Sequence, residues 1–184
     1  MGYTCLTVDL RSFGQSDGSL ATLSNADHLD DAVAAYDFLK GSAELKEISA
    51  CGASYGGYLC AMLSEKRQLS SIVLRAPGIY PDAMFEKTGY TNEDQLLNEI
   101  YKFKTKVDFE ASKALMNITK YTGSVLVVGS KSDHKIPVAV VESYYNSASR
   151  ASKRELIWMK DATHDLSSAA SKEEFIEILV GWFS

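Results

Sequence analysis

Residues 48–57 read ISACGASYGG, and within them Gly52, Ala53, Ser54, Tyr55 and Gly56 form a G-x-S-x-G spacing with a serine at its centre. A serine hydroxyl is a weak nucleophile until a neighbouring base takes its proton, and that base needs a third group to orient it. The spacing suits such a serine for a steric reason. A hydroxyl projected from a sharp turn requires a positive φ, which crowds the flanking positions, so Gly52 and Gly56 are expected to be needed without side chains and Gly57 to let the next helix pack closely. The setting agrees: the motif ends the strand-like EISACG (47–52) and opens the helix-like YGGYLCAMLSEK (55–66).

The base must be one of 3 histidines. His28 lies in a helical pattern beside Asp27, Asp30 and Asp31 and reads as a solvated surface residue. His134, in GSKSDHKIP, and His164, in KDATHDLSS, each follow a strand-like run. Parallel strands all point one way, so these loops gather at the same strand ends as Ser54. The chain order serine, acid, histidine selects His164 as the base and Asp133, directly after VLVVGSKS, as the carboxylate that holds it. Asp161 and Asp165 stand too near His164 in sequence to be first choices but remain alternatives, and Glu142 reads as helical. Cys51 is the alternative nucleophile. It is one of 3 cysteines, with Cys5 and Cys60, whose odd count, apolar surroundings and lack of ligand spacing favour reduced core thiols over disulfides or a metal site.

These residues need a scaffold, and the sequence alternates in the way that builds one. Runs rich in β-branched and apolar residues recur at YTCLTVD (3–9), EISACG (47–52), SIVLRA (71–76), SVLVVGS (124–130) and ELIWMK (155–160). Helical spacing fills the intervals. In NADHLDDAVAAYDFLKG the apolar Leu29, Val33, Tyr36 and Leu39 form one stripe, with Asn25 as the expected cap and Gly41 as the expected end. In SKEEFIEILVGWF, Ser171 and Glu174 have capping-box spacing. Strands alternating with helices imply an α/β fold, a mostly parallel sheet covered by helices on both faces. The segment 79–120 is too long for one crossover and is expected to be a helical lid inserted into a single domain, 1–184.

With 184 residues, a formal charge of -5 and 46% hydrophobic content, the chain is expected to be one globular domain without a basic stripe for nucleic acid or anionic membrane. No run is long enough to span a bilayer and no signal-like leader opens the sequence, so the expected location is cytoplasmic. The expected partner is a small ester, thioester or peptide substrate, and no cofactor or metal is implied.

Taken together, these motifs resemble the C-terminal two-thirds of an α/β-hydrolase, in the broad group of serine esterases, dienelactone-hydrolase-like enzymes and prolyl-oligopeptidase-like peptidases. VDLRSFGQSDG (8–18) is similar to the turn after that family's fourth strand, commonly Asp-x-Arg-Gly-x-Gly-x-Ser, with Ser12 in place of the usual glycine. GASYGGY is close to the peptidase form of the nucleophile elbow, GSKSDHKIP matches Gly-x-x-Asp-x-x-Val/Ile-Pro around the family's acid, and THD resembles its histidine loop. The resemblance implies a serine hydrolase acting through an acyl-enzyme on Ser54, with the backbone N–H of Tyr55 as one donor to the oxyanion. It also implies three earlier strands, whereas only Met1 precedes GYTCLTVDLR. On that basis the fold is expected to be truncated, with an exposed sheet edge able to self-associate and with a second oxyanion donor of unknown source. A weakly active or non-catalytic binding protein, and an acyltransferase or thioesterase using the same triad, are the alternative readings.

Overall fold

The computed structural model describes residues 2–42, 45–82, 85, 86, 88 and 112–184. Among the described residues four strands form one parallel sheet in chain order: β1 (Ser49–Ala53), β2 (Ser71–Arg75), β3 (Ser124–Ser130) and β4 (Arg154–Met159). The register sets Gly52 beside Leu74, Leu74 beside Val127 and Val127 beside Leu156. β2 is buried at every position: Ile72, Val73 and Leu74 as the apolar run of a strand covered on both sides, and Ser71 and Arg75 as buried polar residues at its two ends.

Alternation along the strands separates two cores. Ile72, Leu74, Val125 and Val127 pack with α1 (Asn25–Ser42), α2 (Tyr55–Lys66), α3 (Lys113–Lys120) and α4 (Val138–Ser147). Val73, Leu126, Val128 and Met159 pack beneath Phe175, Ile178, Leu179 and Trp182 of α5 (Ala169–Trp182). The indole N–H of Trp182 donates to Ser71 Oγ at 2.8 Å, so one polar bond pins α5 to the start of β2. Each fully buried Leu or Ile in these cores contributes about 1.5–3 kcal/mol. The α/β class and the mostly parallel sheet covered on both faces are therefore as the sequence indicated.

Several local expectations are corrected. Residues 3–9 form no strand: they run as exposed, irregular chain. Their β-branched residues favour extension, but a strand is made by a ladder, and residues 3–9 pair with none of the four strands. The cap of α1 is Ser24, whose Oγ accepts the Asp27 N–H at 3.2 Å while Asp27 Oδ2 accepts the Ser24 N–H at 2.8 Å, and the helix passes Gly41 to end at Ser42. Asn25, the expected cap, is used elsewhere. At α5 the cap is Ser168, which accepts the N–H of Ser171 at 3.1 Å, so Ser171 already lies inside the helix. Of the expected lid at 79–120, most lies outside the described residues, and α3 within it packs in the core through Ala114, Leu115 and Ile118. Among the described residues no helix is long and apolar enough to cross a membrane.

Among the described residues β1 has a hydrogen-bonded neighbour on one side only, and its Ser49, Cys51 and Ala53 are exposed. An unpaired edge offers N–H and C=O groups to other chains. Sedimentation of the 184-residue protein is expected to show concentration-dependent association. Ser49→Lys, which puts a charge on that edge, is expected to weaken the association at least about threefold. Two identical monomers would show that the edge is not used.

Candidate active site

Ser54 stands between the last residue of β1 and the first of α2 with φ 51° and ψ -115°. A non-glycine residue in such a conformation costs about 1–3 kcal/mol. Three backbone hydrogen bonds hold it there: its N–H donates to Arg75 O at 2.9 Å, and its carbonyl accepts from Gly78 N–H at 2.8 Å and Tyr58 N–H at 3.2 Å. A Cβ on Gly52 would fall 2.2 Å from the Gly56 carbonyl oxygen, a backbone atom that cannot move aside. A Cβ on Gly57 would fall 3.0 Å from Pro77 Cβ. At Gly56, by contrast, a Cβ meets nothing within 4 Å among the described residues, so sterics there do not demand glycine.

The loop after β3 brings Asp133 to His164. Asp133 Oδ2 lies 2.7 Å from His164 Nδ1, and Oδ1 accepts the backbone N–H groups of Lys135 at 2.7 Å and Ile136 at 3.0 Å. Both carboxylate oxygens are thus engaged, and the side chains are 1% and 12% exposed. Burial alone would raise the Asp133 pKa. The hydrogen bonds from His164, Ile136 and Lys135 outweigh it, and the net shift is downward. An ionised, fixed carboxylate at Nδ1 leaves Nε2 as the nitrogen that can take a proton from a serine.

Among the described residues no hydrogen bond joins Ser54 Oγ to His164 Nε2, while the His164–Asp133 half of the constellation is closed. In unliganded sites such bonds are often long and tighten on binding. Tyr55 opens α2, so its N–H belongs to the first turn, whose amides have no intrahelical carbonyl to bond.

His28 is the residue that the sequence reading misplaced. It is 4% exposed, with Nδ1 2.8 Å from Tyr55 Oη and Nε2 donating to the Arg11 carbonyl at 3.1 Å. Tyr55 Oη also donates to Asn25 Oδ1 at 2.9 Å. Burial pushes the Tyr55 phenol far above its ordinary range, so it stays neutral and keeps its proton to donate. Arg11 in turn bonds Asp31 through Nε at 2.7 Å and through its backbone N–H at 2.9 Å. The turn 9–18, α1 and Tyr55, the residue after Ser54, are therefore one polar network. A signal existed: position 28 falls beside Leu29 on the stripe that Ala32 and Tyr36 continue, and the acidic neighbours face the other way or pair with Arg11.

The remaining candidates lie apart. His134, Glu142, Asp161 and Asp165 are exposed, and Asp165 pairs with Lys135 at 3.2 Å. Loss of hydration pushes the Cys60 thiol up to about 12 and that of Cys51 to about 11, although Cys51 lies on the open edge, which disfavours a thiolate nucleophile at either. Among the described residues no three His, Cys, Asp or Glu side chains converge as metal ligands. A cleft of about 410 Å³ between Arg67, Gln68, Lys120 and Thr122 lies at the N-terminal ends of β2 and β3, the pole opposite Ser54.

A model of the prolyl oligopeptidase family matches residues 2–184. The chain belongs to that family. Comparison with curated proteins found no match. Among solved structures, an α/β serine hydrolase homologue from Coxiella burnetii is 17% identical with a TM-score of 0.65 over 95% of this chain and 66% of that one. A structure from work on LipS and LipT, two metagenome-derived lipolytic enzymes, is 16% identical with a TM-score of 0.67 over 89% and 74%. Est1E from Butyrivibrio proteoclasticus with ferulic acid bound is 18% identical with a TM-score of 0.61 over 94% and 76%. The chain of this family member thus spans about two thirds to three quarters of the length of these structures, and at such identities the likeness establishes the shared fold.

Two outcomes are expected of the family member's site. Because the Asp133 pKa is lowered on folding, the stabilisation it carries is complete above its unfolded value of about 3.9 and is lost as pH falls through the lower folded value. Acid unfolding followed by circular dichroism should therefore be steeper below about pH 4 in the wild type than in Asp133→Asn. Equal slopes would mean that the carboxylate is not held as described. Tyr55→Phe removes the shared hydroxyl of the His28 and Asn25 bonds and should lower stability by about 1–3 kcal/mol in a denaturant titration.

Proposed function

We propose that this chain is a serine hydrolase that cleaves a carboxylic ester or amide through an acyl-enzyme on Ser54. The observation that carries the reading is the 2.7 Å bond between His164 Nδ1 and Asp133 Oδ2, with the other carboxylate oxygen held by two backbone N–H groups. An acid so fixed selects one imidazole tautomer, which is what a general base for a serine needs. Ser54 attacks the substrate carbonyl as its proton passes to His164 Nε2, and the Tyr55 N–H stabilises the oxyanion. The imidazolium then returns the proton to the leaving alkoxide or amine, whose bond to the acyl carbon breaks. Water repeats the cycle on the acyl-enzyme and regenerates Ser54. Family membership and the shared fold support the reading. The substrate is a small ester, thioester or peptide, and the protein acts in the cytoplasm. An acyl acceptor other than water would use the same triad.

That His164 bonds Asp133 and not Ser54 favours a second reading, a weakly active or non-catalytic hydrolase fold that binds rather than cleaves. A fluorophosphonate probe separates the two, since it labels a serine only when that serine is activated. Labelling at Ser54 supports the hydrolase, and a folded protein that resists labelling supports the binder.

Turnover of a p-nitrophenyl ester is expected to fall by about 10⁴-fold or more in Ser54→Ala, with the thermal transition retained. Asp133→Asn should fall by about 10⁴-fold, because an amide there favours the wrong tautomer, and Glu142→Gln should change little. Loss in Glu142→Gln with none in Asp133→Asn would reassign the acid.

A further inference from the structure

Arg75 is the last residue of β2 and is 1% exposed. Strand alternation places it with Ser71 and Val73 on the α5 side of the sheet, where an apolar residue would pack without desolvating a charge. Its guanidinium instead reaches the histidine loop: Nη2 donates to the Thr163 carbonyl at 2.7 Å and Nη1 to the His164 carbonyl. On the neighbouring strand, Ser130 Oγ donates to the Ala162 carbonyl. Three consecutive carbonyls of the loop, 162 to 164, are therefore held by buried side chains at the ends of β2 and β3. The Arg75 Nε is buried with no hydrogen-bond partner among the described residues, so the side chain leaves one donor unmet while its fork spans two carbonyls. The same residue's backbone carbonyl accepts the Ser54 N–H at 2.9 Å.

We propose that Arg75 is a positioning residue that ties the nucleophile turn to the histidine loop, its backbone holding Ser54 and its guanidinium holding His164. This rests on the serine-hydrolase reading above. Arginine is suited to the task because its planar fork presents parallel donors in a fixed geometry, whereas a lysine offers a point charge on a flexible stem. The backbone half of the tie survives any substitution, so removing the fork loosens the loop and leaves the turn in place. Misplacement of a base by about 1 Å costs up to about a hundredfold in rate.

The test uses Arg75→Lys and Arg75→Met in the full chain, with circular dichroism to establish folding. For a p-nitrophenyl ester, kcat is expected to drop about tenfold to a hundredfold in Arg75→Lys with KM within about twofold, and further in Arg75→Met. The proton between His164 Nδ1 and Asp133, followed by ¹H NMR, is expected to be sharp in the wild type and broadened by exchange in both variants. That signal needs no turnover, and Arg75→Lys supplies it if Arg75→Met does not fold. Unchanged kcat and an unchanged signal in folded Arg75→Lys would overturn the proposal. If Ser54→Ala turns the ester over at the wild-type rate, the hydrolase reading fails, and the proton signal alone then decides whether Arg75 holds the loop.

Discussion

Every residue to which chemistry is assigned lies just beyond the C-terminal end of a strand, so the parallel hydrogen bonding of β2 with both of its neighbours is the constraint on which the rest depends. It brings the end of β1 level with Arg75 and sets Arg75 beside Val128, two residues before Ser130. Ser54, the Arg75 side chain and the Asp133 loop then emerge at one height without any of them specifying it. The ladder itself is fixed by burial. β2 and most of β3 are wholly inside, and a one-residue slip would turn Ile72 and Leu74 towards α5 and Arg75 into the four-helix core.

What the sequence disclosed follows from which interactions are local. The strands β1 to β4 were visible because their apolar runs are bounded by polar turns, and α1 and α5 because their stripes repeat at helical spacing. The adjacency of Asp133 and His164 could be inferred because both follow strands that had to be parallel. Residues 3–9 were misread for the opposite reason: their composition favours extension, but whether extended chain becomes a strand is decided by a partner far away in sequence. The cap of α1 moved by one residue because Ser24 and Asn25 are both good caps, and only the reciprocal bond to Asp27 distinguishes them.

Arg75 was illegible for a related reason. A charged residue closing an apolar run reads as the point where a strand reaches solvent, since arginine is almost never fully buried unless paired. Its partners are backbone carbonyls of residues 163 and 164, about ninety positions onward, and a carbonyl leaves no trace in side-chain pattern. His28 shows the same limit from the other side. Its ring is buried against Tyr55, and the acidic residues around it in sequence suggested solvent because their own partner, Arg11, lies in a preceding turn.

The bare edge of β1 bears on this arrangement less than its nearness to Ser54 suggests. A strained serine needs about 1–3 kcal/mol of restraint, and a typical backbone hydrogen bond contributes about 0.5–1.5 kcal/mol net. The three bonds that hold Ser54 come from Arg75 at the end of β2, from Gly78 just after it and from Tyr58 within α2, and none crosses the open side. Together they match the strain. The outer side of β1, unpaired among the described residues, therefore bears on the sheet, while the conformation of the turn is set from the inner side. The polar network of Tyr55, His28 and Asn25 adds a further attachment through α1, on the helix-covered face rather than at the edge. Edge and elbow are thus held by different groups, and a change at one need not be transmitted to the other.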